Sequence, residues 1–210
     1  MLFRLTGDVQ IGKTRWLEAV AKELAAQGVA VEGVLAPGVW RRNQSGEVVD
    51  GSASADADAL EKLGIDNILL PGGERVSFAR RRDLALAEGT FCEKSQSARA
   101  KLAWEISDDA LARVNAHFDN LKVADQPHCP GLLVVDELGQ LELLRGGGLT
   151  SAMDVLSQGP SARSAHALVV VRAWLLECAA ERFGDVWGGA KMLAPDGEAR
   201  STLRSAFDLV

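Results

Sequence analysis

The chain has 210 residues, 47% of them hydrophobic and 25% charged, and a net charge of −6 at pH 7. That is enough for one full hydrophobic core in an ordinary globular protein. The acidic balance argues against nucleic-acid binding as its main business, and no apolar run approaches the roughly 20 residues of a membrane-spanning helix.

Cys92, Cys129 and Cys178 are isolated, and no Cys/His cluster suggests zinc or a disulfide framework. The first strand begins within two residues of Met1, which leaves no room for a signal peptide, so a reducing cytoplasm is the expected location.

In chain order, Leu2–Leu5 is the first strand, and Arg15-Trp16-Leu17-Glu18-Ala19-Val20-Ala21 opens a helix that stops near Gln27-Gly28. Val29–Leu35 is a second buried strand, interrupted by Glu32-Gly33. Its distance from the first is that of a β-α-β unit, which predicts a parallel pair. A hairpin is expected across Val39-Trp40 and Glu47-Val48-Val49, a short helix around Ala57–Leu63, and a second hairpin through Ile68–Leu70 and Val76–Ala79. The polar, aperiodic run from Glu88 to Lys101 reads as mobile.

Ser107 is a plausible cap for a helix with Leu111, Val114, Asn115, Phe118 and Leu121 on its inner face. Gly131–Val135 and Ala167–Val171 lack alternation, as strands covered on both faces do. Helices around Thr150–Leu156 and Ala173–Phe183 cover them, and a strand near Met192-Leu193 with a last short helix completes the tail.

Two motifs carry chemistry. Gly7-Asp8-Val9-Gln10-Ile11-Gly12-Lys13-Thr14 is a full G-x-x-x-x-G-K-[ST] run between a strand and a helix. Such a loop wraps phosphate with backbone N–H groups at the positive end of a helix, with Arg15 in the first turn. Lys13 would reach the β/γ-phosphates and the Thr14 hydroxyl would bind Mg²⁺. Leu132-Leu133-Val134-Val135-Asp136-Glu137 is an apolar strand ending in two carboxylates, at the sheet edge where α/β proteins bind ligands. Asp136 would hold Mg²⁺ through water, and Glu137 would orient or deprotonate the attacking water. Taken alone, the motif would also allow Asp136 merely to cap the following turn; joined to the full phosphate loop upstream, it reads as a metal site.

These residues, together with Leu138-Gly139-Gln140-Leu141-Glu142-Leu143, resemble the two signatures of the small P-loop nucleoside triphosphatases of the thermophilic and human cancer-related type. The resemblance extends to the hairpin Pro37-Gly38-Val39-Trp40-Arg41 and to the late strand Val169-Val170-Val171-Arg172. It implies a RecA-like fold and slow, Mg²⁺-dependent hydrolysis of ATP, GTP and other nucleoside triphosphates. The family usually has glycine where this chain has Gln10, which implies a bulkier loop. It often has acidic residues before the hairpin arginine, where Gly38-Val39-Trp40 stand here.

The expected architecture is therefore α/β: a three-layer P-loop NTPase fold, mostly parallel, with helices on both faces and a β-hairpin insertion. A single domain is expected over residues 1–210, with an inserted hairpin and mobile segment at about 38–105 that could offer a surface to a protein partner.

Arg172, at the end of a core strand, is either a γ-phosphate sensor or a solvent-facing helix start, and Arg41 is a weaker candidate for the same role. Arg80-Arg81-Arg82 is either a cation source or a solvated charge run. Trp16 is read as packing the first helix on the sheet, and His117, His128 and His166 as non-catalytic. Two other readings stay open: a nucleotide-gated accessory module in cofactor or metalloenzyme assembly, and a small-molecule or nucleotide kinase. For the kinase, the carboxylate base expected after the second strand is missing from Ala36-Pro37-Gly38.

Overall fold

The structure, a computed structural model, describes residues 1–42, 48–50, 60–123 and 130–209. The strands are β1 (Leu2–Leu5), β2 (Ala30–Leu35), β3 (Gly38–Arg42), β4 (Val48–Asp50), β5 (Leu60–Leu70), β6 (Glu74–Arg81), β7 (Trp104–Ile106), β8 (Gly131–Leu138), β9 (His166–Val171) and β10 (Ala190–Leu193). The α-helices are α1 (Lys13–Ala26), α2 (Arg82–Ala87), α3 (Gln96–Arg99), α4 (Asp108–Val123), α5 (Gln140–Arg145), α6 (Thr150–Gln158), α7 (Leu176–Phe183) and α8 (Gly197–Ala206). A 3-10 turn at Ala173–Leu175 precedes α7.

Alternation along the central strands sorts the core into two layers. Leu132 and Val134 of β8, with Leu168 and Val170 of β9, pack with Leu17, Val20 and Leu24 of α1 and Leu203 of α8. The intervening Leu133, Val135, Val169 and Val171 pack with Leu111, Val114 and Phe118 of α4, Leu156 of α6 and Phe183 of α7. Each such side chain contributes roughly 1.5–3 kcal/mol of burial, which is why these strands carry no polar alternation.

The strands form one ten-stranded sheet with a parallel half, in the order β10-β1-β9-β8-β2. The other half is antiparallel: β5 joins β2, β3 pairs with β5 and β4, and β6 links β5 to β7. The inserted hairpin of the sequence reading is thus a whole half-sheet. β1 and β2 run parallel as expected, but β9 and β8 lie between them.

Gly33, which breaks the apolar run of β2, has a structural cause. Its φ is 108°, and a Cβ there would lie 2.0 Å from the carbonyl oxygen of Val134 on β8. Only glycine allows the two strands that approach.

Two expectations need correction. Leu60–Leu63 are strand, not helix, because Leu63, Ile65 and Leu69 share the buried row of β5; residues 57–59 lie outside the described residues. The Glu88–Lys101 run is organised by polar bonds rather than by apolar periodicity. Ser95 Oγ accepts the Ala98 N–H at 3.1 Å, and Ser97 Oγ accepts the Ile106 N–H at 2.9 Å. Cys129 and His128 lie outside the described residues, and no described helix is long and apolar enough to cross a membrane.

Candidate functional site

The parallel register aligns the carboxyl ends of four strands. Leu5 of β1 pairs with Val170 of β9, Val135 of β8 pairs with Val169, and Val34 of β2 pairs with Val135. The chain therefore delivers the Gly7–Thr14 loop, Ala36, Asp136-Glu137 and Arg172 to one edge. All of them line a cavity of ≈ 1460 Å³.

The loop leaves β1 at Thr6 and enters α1 through Gly12, with φ of 152° at Gly7 and 95° at Gly12. Gln10 also has left-handed φ, 65°, so it takes the backbone conformation a glycine would take at no cost. Gln10 is exposed, as are Val9 and Ile11, and Gln10 lines the cavity. No side chain caps α1 and no acid sits in its first turn, so its leading N–H groups and dipole are uncompensated. Lys13 Nζ donates to the carbonyls of Gly7 at 2.9 Å and Asp8 at 2.7 Å. Burial lowers the Lys13 pKa, the carboxylates of Glu137 and Asp136 raise it, and the nearby Arg172 lowers it. Arg15 curls back beside Gly12.

Asp136 is 2% exposed. Its Oδ2 accepts the Ala36 N–H at 2.9 Å, and its Oδ1 has no hydrogen-bond partner. Burial, then the charge of Glu137, pushes its pKa to about 7, while the Ala36 N–H, Thr14 hydroxyl and Lys62 charge pull it down. Such an oxygen beside a threonine hydroxyl fits a hard divalent cation. Among the described residues no cluster of three or more His, Cys, Asp or Glu could hold a metal alone.

Glu137 occupies a break in the β8–β9 register between Val135 and Leu138. Its φ of 72° turns its exposed side chain away from the buried positions on either side. Glu142 fixes this turn from behind. Its buried carboxylate accepts the Gly139 N–H at 2.9 Å and the Leu149 N–H at 3.2 Å, and burial raises its pKa. The glutamate of the mid-chain signature is thus a strut.

The remaining arginines divide. Arg172 is exposed at the cavity, and its guanidinium makes no hydrogen bond or ion pair among the described residues. Arg41 pairs with Glu61, Arg80 with Glu88, Arg81 with Glu61 and Asp83, and Arg82 lies over Phe91. Trp16 packs against the α1-side core and donates Nε1–H to the Asp196 carbonyl. His117 and His166 bond to the Gly33 and Ala206 carbonyls.

Sequence reading missed Lys62, whose Nζ lies 5.8 Å from the Trp40 ring and 5.1 Å from the Trp104 ring. It also missed Asn67, 2% exposed with an unpartnered Oδ1, which lines the same cavity. Reading 60–70 as a strand would have exposed Asn67 as the one polar member of the row Leu63, Ile65, Leu69. No local pattern marks Lys62.

No protein-family model matches this chain, and no curated protein sequence matches it. Among solved structures, the solution structure of a human cancer-related nucleoside triphosphatase is similar in fold. Its TM-score is 0.55 at 19% identity, over 96% of this chain and 92% of that one. The chain has the P-loop NTPase fold.

Proposed function

We propose that this protein binds a nucleoside triphosphate with Mg²⁺ and hydrolyses it slowly to the diphosphate and phosphate. The observation that carries the reading is the convergence on one cavity of an uncapped helix start bearing Lys13 and Thr14, a buried Asp136 with an unpartnered oxygen, and an exposed Glu137. The fold shared with a nucleoside triphosphatase supports it.

In this reading the N–H groups of Gly7–Arg15 wrap the phosphates, and Lys13 exchanges its loop carbonyls for phosphate oxygens. Thr14 and Asp136 would hold Mg²⁺, which neutralises charge developing on the transferred phosphoryl group. Glu137 accepts a hydrogen bond from the attacking water and aligns it. Arg172 adds positive charge at the same edge.

Phosphate release from ATP and GTP by the wild type and by Glu137→Gln tests the assignment. Glu137→Gln is expected to retain nucleotide affinity and lose at least about a hundredfold in turnover, the usual weight of a general base. Unchanged turnover would remove Glu137 from the mechanism. Lys13→Ala is expected to abolish tight nucleotide binding, and retained affinity would sink the whole reading.

A further inference from the structure

The cavity is larger than a triphosphate site requires. Ligand pockets commonly enclose about 300–1,000 Å³, whereas this one measures ≈ 1460 Å³ and continues from Asp136 into the antiparallel half-sheet. That extension is lined by Trp40, Lys62, Asn67, Phe78, Trp104 and Ile106. It is continuous with the carboxylate end of the site, since Ala36, Asp136 and Glu137 line the same cavity as Trp40, Lys62 and Asn67. On the opposite side of the loop Pro195 lies against Gly7, and Trp16 donates to the Asp196 carbonyl.

Three features of the extension specify a ligand. Two indoles and a phenyl ring give flat apolar walls, suited to a planar ring. The Lys62 ammonium, beside both indoles, is a donor and a positive charge. Asn67 Oδ1 is an acceptor with no partner, in a side chain 2% exposed. A buried unpaired amide oxygen is destabilising, and a leucine would fill the same space without that cost. The residue is explained if a bound molecule supplies the missing N–H. A nucleobase edge presents such a donor next to ring-nitrogen or carbonyl acceptors for Lys62, on a flat ring.

We infer that the chamber formed by Trp40, Lys62, Asn67 and Trp104 is a second small-molecule site. Its ligand is a nucleoside, bound beside the reacting end of the triphosphate. The inference deepens the proposed function and rests on that reading for the identity of its neighbour.

The test is calorimetric titration of the protein, loaded with Mg²⁺ and a non-hydrolysable ATP analogue, with adenosine, guanosine, cytidine and uridine in turn. The loaded protein is expected to bind at least one of the four with Kd below about 1 mM. Asn67→Leu and Trp104→Phe should each weaken that binding by about tenfold or more, the effect of losing one good contact. Asn67→Leu is also expected to unfold at the same or a higher temperature, which separates loss of the acceptor from loss of the fold.

Binding that is unchanged in both variants overturns the inference. So does a wild type that takes the analogue but none of the four nucleosides, and that result leaves the triphosphate site standing. Failure of the analogue itself to bind would instead count against the proposed function.

Discussion

Gln10 and Asp136 show at the scale of single residues how this site spends stability. A left-handed backbone costs a non-glycine residue about 1–2 kcal/mol, yet the loop imposes it on Gln10 and the bulge imposes it on Glu137. Asp136 carries a different cost, a carboxylate in a dry position with one oxygen unpaired. Its folded pKa of about 7 lies above the ordinary 3.8, so the native state holds this proton more tightly than the unfolded chain does. Its contribution to stability is therefore fully present below about pH 4 and is lost as pH rises to about 7. In metal-free buffer, Asp136→Asn is expected to remove that slope and to raise stability at pH 8 by about 1–3 kcal/mol. Urea unfolding between pH 4.5 and 8 measures both, and a wild-type slope persisting in the variant would contradict the assignment.

Among elements, the turn from β8 into α5 combines the carboxylate proposed to align water, Glu137, with a structural one, Glu142, five residues on. Glu142→Ala leaves the Gly139 and Leu149 N–H groups without their acceptor, at a cost of about 1–3 kcal/mol each where they stay buried. The expected result is a lower unfolding temperature together with reduced turnover at unchanged nucleotide affinity, because the turn that presents Glu137 loosens while the phosphate loop does not. Steady-state kinetics beside a melting curve would show it, and a loss of affinity instead would place Glu142 in the binding loop. The phosphate loop and the carboxylate pair were legible in the sequence because their chemistry is contiguous. The antiparallel half was legible only in part: the turns marked the β3–β4 and β5–β6 hairpins, whereas the start of β5 read as helix, the three-residue β7 carried no signal, and polar side chains replace helical periodicity in α3.

Across the whole molecule, cohesion is unequal. The parallel half is held between two large apolar layers, whereas the antiparallel half joins them through Leu69 and Val76 on one side and Ile68 and Leu70 on the other, and adds a small cluster of its own: Ala36, Ile65 and Ala79 with Phe78, Trp104 and Ile106. β5 meets β2 over only three residue pairs, Gly33 with Leu70 through Leu35 with Ile68. Native-state amide exchange should therefore show β6 and β7 opening at lower free energy than β8 and β9. Equal protection across the two halves would show that they unfold as one unit.

Lys13 gives the phosphate loop an occupant of its own. With its ammonium satisfied by the Gly7 and Asp8 carbonyls, the loop is pre-shaped around a cation that belongs to the chain. On the proposed function, an arriving nucleotide would have to displace those two internal bonds, and its measured affinity would be the difference between two sets of contacts to one amine.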